Sequence, residues 1–251
     1  GALKESAFDP LSRTCDFMLK EEAHHMFVGA SGVGRIVERT AQLMNEHGTD
    51  DVTTHGGINL DTLQRYINFH YSVSLDLFGS ERSTNAANYY AAGLKGRYGE
   101  DGYEDDHVLN DLQSTYTSVA DGEIVTEQMS ARALVNLELR SEYSVDCAKG
   151  LRRWNRMLSE MGVDVELKLP DTGFNRQVGA FAGHHIHPDG HLISDEEWDA
   201  NVDDWLPTDA EREHVGSLMK PVYEAGKMAS WIAPPSRGIN TKPADYDYVR
   251  L

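Results

Sequence analysis

Apolar side chains recur every three to four residues in several long stretches of this sequence. One stretch covers residues 9–28, a second covers 33–46, and a third begins after Asn59. The same periodicity returns at 130–161. A row of apolar residues with this spacing forms one face of an α-helix, which has 3.6 residues per turn. The sequence therefore predicts a mainly α protein.

Local signals suggest where the first two helices begin and end. Asp9 precedes Pro10 and can cap the amide groups of a helix that starts there. We expect the glycine-rich run at 29–34 to interrupt this helix after Val28, with a new helix from 33 to 46. Because the run follows a helix and not a strand, a phosphate-binding loop is a poor interpretation. His47-Gly48 is expected to end the second helix.

The third helix is predicted from its apolar row and from Asn59, which can cap its start. His70 lies beside this row, where a hydrogen-bonded core side chain is the expected role and metal ligation is the alternative. The apolar positions of the row are Leu63, Ile67, Tyr71, Leu77 and Phe78.

The remaining segments are expected to be shorter or irregular. A short helix is predicted at 83–98, and the acidic, turn-rich stretch 99–122 is expected to form a loop. A strand is predicted at 163–169 and a hairpin at 179–194. The predicted organisation is thus a helical domain over 1–162, followed by an irregular extension with a hairpin over 163–251.

Charge limits the kinds of partner that this chain can have. Its 41 acidic and 23 basic side chains give a formal net charge of -18. Such a surface repels the phosphates of nucleic acids and anionic lipids, so we expect neither nucleic acid nor membrane as a partner. A polyanionic small molecule would need a local basic patch in order to bind.

Cysteine content and hydropathy suggest the cellular compartment. Cys15 and Cys147 are the only cysteines and lie far apart in the sequence, so no disulfide framework is implied. No run of about 18 apolar residues is present, which a membrane-spanning helix would need. A cytoplasmic protein is the expectation.

One short segment of the first helix carries side chains that can bind a metal. Glu22 and His25 are three residues apart, so both project from one helix face and can bind a single ion. We expect this face to be buried, where a carboxylate and an imidazole are unfavourable unless a partner such as a metal compensates them. Iron suits such mixed oxygen and nitrogen donors. The other residues of the face are Cys15, Met18, Leu19, Met26 and Gly29.

The Glu-x-x-His spacing alone is weak evidence, since four such pairs occur in this acidic chain with 11 histidines. Glu21 and His24 form a second pair that is offset by one residue and lies on the neighbouring face of the same helix. Periodicity alone does not decide whether this pair or Glu22 and His25 points inward.

The other two pairs have simpler explanations. Glu104 and His107 lie in the acidic, glycine-rich stretch, where solvated charges are expected. Glu211 and His214 follow Thr208, and Thr208 with Glu211 predicts a capping box at the start of a helix. The capping role explains Glu211 without a metal.

A histidine-rich segment near residue 190 is a further candidate for metal binding. His184, His185, His187 and His191 flank the turn signature Pro188-Asp189-Gly190. We expect a surface hairpin whose histidines bind metals adventitiously, although alternating histidines on a strand could also hold zinc. No nucleophile elbow or Walker loop is present, and no catalytic residue is assigned.

Several long runs, spread over nearly the whole chain, carry a resemblance to a known family. These runs are 7–19, 21–29, 68–72, 75–81 and 231–240, which include Ala7-Phe8-Asp9-Pro10-Leu11 and Trp231-Ile232-Ala233-Pro234-Pro235. Through them the chain resembles the C-terminal half of the oxygenase subunit of the benzoyl-CoA 2,3-epoxidases, a ferritin-like di-iron family. The resemblance favours Glu22 and His25 over the neighbouring pair as metal ligands.

The resemblance implies a partial ferritin-like helical bundle and a monooxygenase activity. In the family, a di-iron centre activates O2 to epoxidise the ring of benzoyl-CoA, giving 2,3-epoxybenzoyl-CoA during aromatic compound degradation. The electrons come from NADPH through a separate flavin and iron-sulfur reductase.

The family's other ligands are an earlier Glu, a second Glu-x-x-His and an Asp, and they would lie upstream of this chain. Residues 1–6 contain no initiator Met and resemble the inside of a helix, so we expect the chain to begin within a longer sequence. Its missing N-terminal half is then a required partner, and the isolated chain is expected to be inactive. Two alternatives are a di-iron enzyme that acts on another aryl-CoA, such as phenylacetyl-CoA, and a non-catalytic helical module in which Glu22 and His25 satisfy each other.

Overall fold

The computed structural model describes residues 8–83, 112–236 and 246–250. Helices make up most of this part of the chain, so the prediction of a mainly α protein is confirmed. The helices are α1 (Asp9–His47), α2 (Leu60–Asp76), α3 (Val135–Glu160), α4 (Asp195–Trp205) and α5 (Asp209–Leu218), with short 3-10 helices at Thr53–His55 and Ala131–Leu134. The strands are β1 (Gln113–Ala120), β2 (Glu123–Ser130), β3 (His185–Ile186), β4 (Leu192–Ile193), β5 (Lys227–Ala229) and β6 (Asp247–Val249).

Helix α1 is continuous for 39 residues, so the predicted break at 29–34 is wrong. Glycine within a helix costs about 1 kcal/mol relative to alanine but does not forbid the helix. Gly34 has a packing role, because a Cβ there would lie 3.2 Å from the indole Nε1 of Trp154. That indole donates a 3.3 Å hydrogen bond to the carbonyl of Ala30. The predicted end of the helix is confirmed, since Gly48 has φ +64° and its N–H donates to the carbonyl of Met44.

The boundaries of α1 and α2 differ from the expected caps. Asp9 is the first helical residue of α1 and pairs with Arg13 one turn later. Asn59 directly precedes α2, but its side-chain oxygen accepts from the N–H of Val52 at 2.8 Å and so fixes the preceding loop. Leu77 and Phe78 follow the end of α2 instead of belonging to it.

Strands β1 and β2 form an antiparallel hairpin where a loop was predicted up to residue 122. The turn between them is Asp121-Gly122, and both residues have positive φ angles, 52° and 79°. This Asp-Gly dipeptide between alternating β-branched residues is the sequence signal for a tight hairpin turn. The predicted helix at 83–98 lies, beyond Ser83, outside the described residues.

Residues 163–169 lie in no regular element and pair with no strand of the described chain, so the strand predicted there is wrong. Side chains satisfy this backbone instead. The amide of Asn155 bonds both the N–H and the carbonyl of Leu167, at 2.9 and 2.8 Å. Gln64 does the same for Lys168. The predicted hairpin at 179–194 is confirmed in a shorter form, as the two-residue strands β3 and β4.

The chain divides into two compact units, each assembled from separate segments. Within the described residues, the first unit comprises 8–27, 70–83, 112–147 and 170–198, and the second comprises 28–69, 148–169, 199–236 and 246–250. The proposed helical domain over 1–162 and extension over 163–251 therefore stay a prediction, as does the ferritin-like bundle.

The second unit contains an apolar core. Its buried members come from α1, α2, α3, α5 and the loops beside them. They are Val37, Ala41, Ile58, Leu60, Leu63, Leu151, Leu158, Val163, Leu167 and Leu218. Among the described residues, no helix is both long and apolar enough to cross a membrane.

Candidate metal centre

Glu22 and His25 lie on the part of α1 that belongs to the first unit. Nδ1 of His25 and Oε2 of Glu22 are 3.5 Å apart. Two donor atoms that bind one ion at about 2.1 Å, at angles between 90° and 110°, are separated by roughly 3.0–3.4 Å. The observed spacing therefore fits two ligands of a single ion after a small side-chain adjustment. A di-iron site of this kind uses two Glu-x-x-His pairs and two further carboxylates, so these two side chains would supply one of the two pairs, which we call the half-site.

The face around this pair is exposed in the described chain, so the expectation that it is buried is wrong here. His25 and Glu22 have 63% and 59% of their side-chain surfaces exposed. Large apolar side chains on both sides of the pair are exposed as well. They are Phe8, Leu11, Phe17, Met18, Leu19, Met26, Phe27 and Val28. These side chains lie on several faces of this part of α1, and so many exposed large apolar side chains on one helix segment mark a contact site.

Exposure does not separate Glu22 and His25 from the neighbouring pair. Glu21 and His24 are exposed too, and Phe17 on their side of the helix is as exposed as Met26 on the other. The assignment of Glu22 and His25 as metal ligands stays a prediction.

The capping role predicted for Glu211 is confirmed. Its carboxylate accepts the backbone N–H of Thr208 at 2.9 Å, and the Thr208 hydroxyl in turn accepts the N–H of Glu211. The other carboxylate oxygen accepts from the Thr62 hydroxyl at 2.6 Å and from Arg65 at 2.7 Å. Desolvation raises the pKa of Glu211, but these hydrogen bonds and Arg65 outweigh it, so the pKa lies below its ordinary value. His214 Nε2 donates to the carbonyl of Gly57 at 2.9 Å.

The remaining sequence candidates are less informative. His70 is exposed and is not the core side chain that its position suggested. Glu104 and His107 lie outside the described residues.

Two carboxylates of the first unit are largely buried, and structural partners account for both. The carboxylate of Glu81 accepts two hydrogen bonds. One oxygen accepts from Arg140 and the other from the N–H of Ala180, each at 2.8 Å. Asp76 pairs with Arg176 at 2.6 Å, and Arg176 is completely buried. Removing one member of such a pair would leave an uncompensated buried charge. These carboxylates stabilise the fold and are poor candidates for metal ligands.

The histidine-rich hairpin brings together three side chains, those of His187, Asp189 and His191, which alternate in the sequence. Asp189 Oδ1 lies 2.7 Å from His187 Nδ1 and 2.5 Å from His191 Nδ1. The two imidazole rings stack with their centroids 4.5 Å apart. His184 and His185 are not part of this cluster, and the ring of His185 stacks on Trp198 instead.

A basic face on α3 is the feature that the sequence reasoning missed. Lys149, Arg152, Arg153 and Arg156 follow the spacing i, i+3, i+4, i+7 and are all exposed. This spacing places four cations on one face of the helix. In a chain with a net charge of -18, it provides the local positive surface that an anionic ligand would need.

Comparison with known proteins relates the chain to an oxygenase component. No protein-family model matches it. Benzoyl-CoA oxygenase component B of Aromatoleum evansii is 49% identical over 253 aligned residues, which cover 100% of this chain and 54% of that protein. The resemblance inferred from the sequence is confirmed: the chain is related along its whole length to benzoyl-CoA oxygenase component B and spans about half the length of that protein.

Proposed function

We propose that this chain forms part of an oxygenase that epoxidises the aromatic ring of benzoyl-CoA with O2, giving 2,3-epoxybenzoyl-CoA. One observation carries the proposal: Glu22 and His25 have ligand spacing on an exposed apolar helix face, in a chain that is 49% identical to a benzoyl-CoA oxygenase component. Exposed ligands beside exposed apolar side chains are what a half-site needs if further helices complete it.

In this proposal Glu22 and His25 hold one iron of a di-iron centre, and helices of the longer protein supply the remaining ligands. The centre, when bound, supplies the oxidising power for O2 chemistry on an electron-poor ring. The carboxylate compensates the charge of the metal, and the neutral imidazole fixes its position. No catalytic acid or base is assigned to the described residues.

The apolar side chains around the pair contribute by excluding water. Phe17, Met18, Met26 and Phe27 would be covered when the missing helices pack on α1. A closed apolar surrounding protects a reactive oxygen species from side reactions with solvent. The isolated chain lacks this cover, so we expect it to bind iron weakly and to be inactive.

The proposed system needs an electron donor. The name of the relative, component B, describes one part of a system with several components. We propose that a reductase with flavin and iron-sulfur groups delivers electrons from NADPH to the iron centre, and that the protein works in the cytoplasm.

The first test measures iron per chain by elemental analysis, in this chain and in a protein extended upstream to the full length of the relative. We expect about two irons only in the extended protein. In that protein, Glu22→Gln and His25→Asn should each remove most of the iron. Benzoyl-CoA-dependent NADPH oxidation, measured with the reductase, should fall by about a hundredfold or more.

Glu21→Gln and His24→Asn are the matched controls, because they change the same residue types on the neighbouring face. They should keep both the iron and the activity. The metal assignment is wrong if the controls lose iron while the Glu22 and His25 variants keep it. Two irons in the pure 251-residue chain would contradict the half-site.

Two alternatives remain open to the same experiments. An enzyme for another aryl-CoA, such as phenylacetyl-CoA, would hold iron equally but prefer that substrate when several thioesters are compared. A non-catalytic helical module would hold no iron in either protein, and Glu22 and His25 would then be an ordinary surface pair.

A further inference from the structure

The turn between β3 and β4 places three metal-binding groups around one point. His187, Asp189 and His191 offer one ligand atom each, and these atoms all lie within 4.8 Å of one another. The cluster is on a hairpin and uses no residue of α1, so it is a second place in the chain where a metal could bind.

The Asp189 carboxylate faces both imidazoles of the cluster. Its Oδ1 lies 2.7 Å from Nδ1 of His187 and 2.5 Å from Nδ1 of His191, and the backbone N–H of Asp189 donates to Nδ1 of His187 at 3.2 Å. The three side chains therefore direct their ligand atoms toward one another.

The backbone fixes the turn before any metal binds. The N–H of His187 donates to the carbonyl of His191, and the N–H of Gly190 donates to the carbonyl of His187, both at 2.8 Å. The carbonyl of Pro188 accepts the N–H of Asp171 at 2.8 Å. Gly190 has φ +104°, and a Cβ there would lie 3.0 Å from an Asp171 oxygen, so a larger residue would strain the turn. A prearranged turn reduces the entropy lost on binding.

We propose that His187, Asp189 and His191 bind one Zn²⁺ ion, with water in the fourth position. Two neutral imidazoles and a carboxylate are a donor set that zinc uses when it keeps one open position. Four-coordinate ligand atoms at about 2.1 Å from zinc are roughly 3.4 Å apart, so the Asp189 side chain must move away from each imidazole by under about 1 Å. Asp189 and His191 are exposed, which leaves room for this movement and for the water.

The bound ion would link the two ends of the hairpin through side chains. The β3–β4 pairing, two backbone hydrogen bonds within the turn and the Asp189 carboxylate already join these ends. When zinc binds at Nδ1, each neutral imidazole carries its proton on Nε2, so the ring keeps one proton and the coordinate bond takes the place of the Nδ1 contact with Asp189. No redox change is involved.

The test is calorimetric titration of Zn²⁺ into the chelator-treated 251-residue chain, repeated with Co²⁺ so that visible absorption reports the ligand geometry. We expect one equivalent of zinc to be lost, or its affinity to fall at least about tenfold, in Asp189→Asn and in His191→Gln. His184→Gln is the matched control, because His184 is an exposed histidine of the same segment outside the cluster.

Several outcomes would overturn the proposal. Equal zinc binding in the wild-type chain, Asp189→Asn and His191→Gln would show that the ion binds elsewhere, including at Glu22 and His25. An equal loss in His184→Gln would show adventitious binding by surface histidines. Circular dichroism and Trp198 fluorescence check that each variant folds, and His191→Gln, which changes an exposed side chain, keeps the test valid if Asp189→Asn does not fold.

Discussion

Two helices of this protein carry the same Glu-x-x-His spacing and use it differently. On α5, Glu211 bonds Thr62, Arg65 and Thr208, and these contacts explain the carboxylate as structure. On α1, Glu22 has a 3.5 Å contact with His25, and both side chains are exposed among apolar neighbours. The spacing only puts two groups on one helix face. The surroundings decide whether a carboxylate is already satisfied or remains available for a ligand.

The largest expected difference between the two pairs is in folding stability. Glu211→Ala removes the capping box and leaves Arg65, whose side chain is 21% exposed, without its carboxylate. We expect the free energy of unfolding to fall by about 2–3 kcal/mol, because hydrogen bonds to charged groups are lost at a partly buried site. Urea denaturation of this variant and of the matched Glu22→Ala measures the difference. Glu22→Ala should change the stability by under about 0.5 kcal/mol, and an equal loss in both variants would remove the contrast.

Lowering the pH should reveal the structural role of Glu211 a second time, with a smaller effect on the free energy of unfolding. The pKa of Glu211 is lowered by folding, so its contribution to stability is complete above the ordinary pKa of a glutamate and is lost as pH falls through the lowered value. Urea denaturation between about pH 7 and pH 3 should therefore show a steeper acid loss in the wild-type chain than in Glu211→Gln. Parallel curves would mean that Glu211 titrates alike in the folded and unfolded chains.

The smallest difference is expected at the two histidines. His214→Ala removes the hydrogen bond to the carbonyl of Gly57 and should lower the free energy of unfolding by about 1 kcal/mol. His25→Ala removes only an exposed contact and should leave stability unchanged within about 0.5 kcal/mol. Both values come from denaturation of the 251-residue chain. A destabilising His25→Ala would indicate that the α1 pair already has a structural role without metal.

The sequence predicts several elements that depend on one local signal. The capping box at Thr208 and Glu211, the end of α1 at Gly48 and the short hairpin at β3 and β4 each depend on a few neighbouring residues, and all are confirmed. The β1–β2 hairpin was not predicted, although its Asp-Gly turn is also a local signal. The acidic, turn-rich composition before that turn favours a loop instead.

The errors occurred where distant residues decide the structure. The sequence predicts that the glycines of α1 break the helix, but Gly34 instead permits the close approach of Trp154, 120 residues away in the sequence. Residues 163–169 have the composition of a strand, but Asn155 and Gln64 supply side-chain partners for this backbone in place of another strand. The assignment of Glu22 and His25 as metal ligands stays a prediction from their spacing and the family resemblance. Their exposure could not be predicted from the sequence, since it depends on which helices pack against α1.

The exposed apolar face of α1 also affects how this chain behaves in solution. A net charge of -18 keeps molecules apart at low ionic strength, because like charges repel over about 10 Å or more. Added salt screens that repulsion but does not weaken the attraction between apolar surfaces such as those of Phe17, Met26 and Phe27. The isolated chain is therefore expected to be most soluble in dilute buffer and to associate as salt is raised, whereas a protein with this face covered would tolerate both conditions.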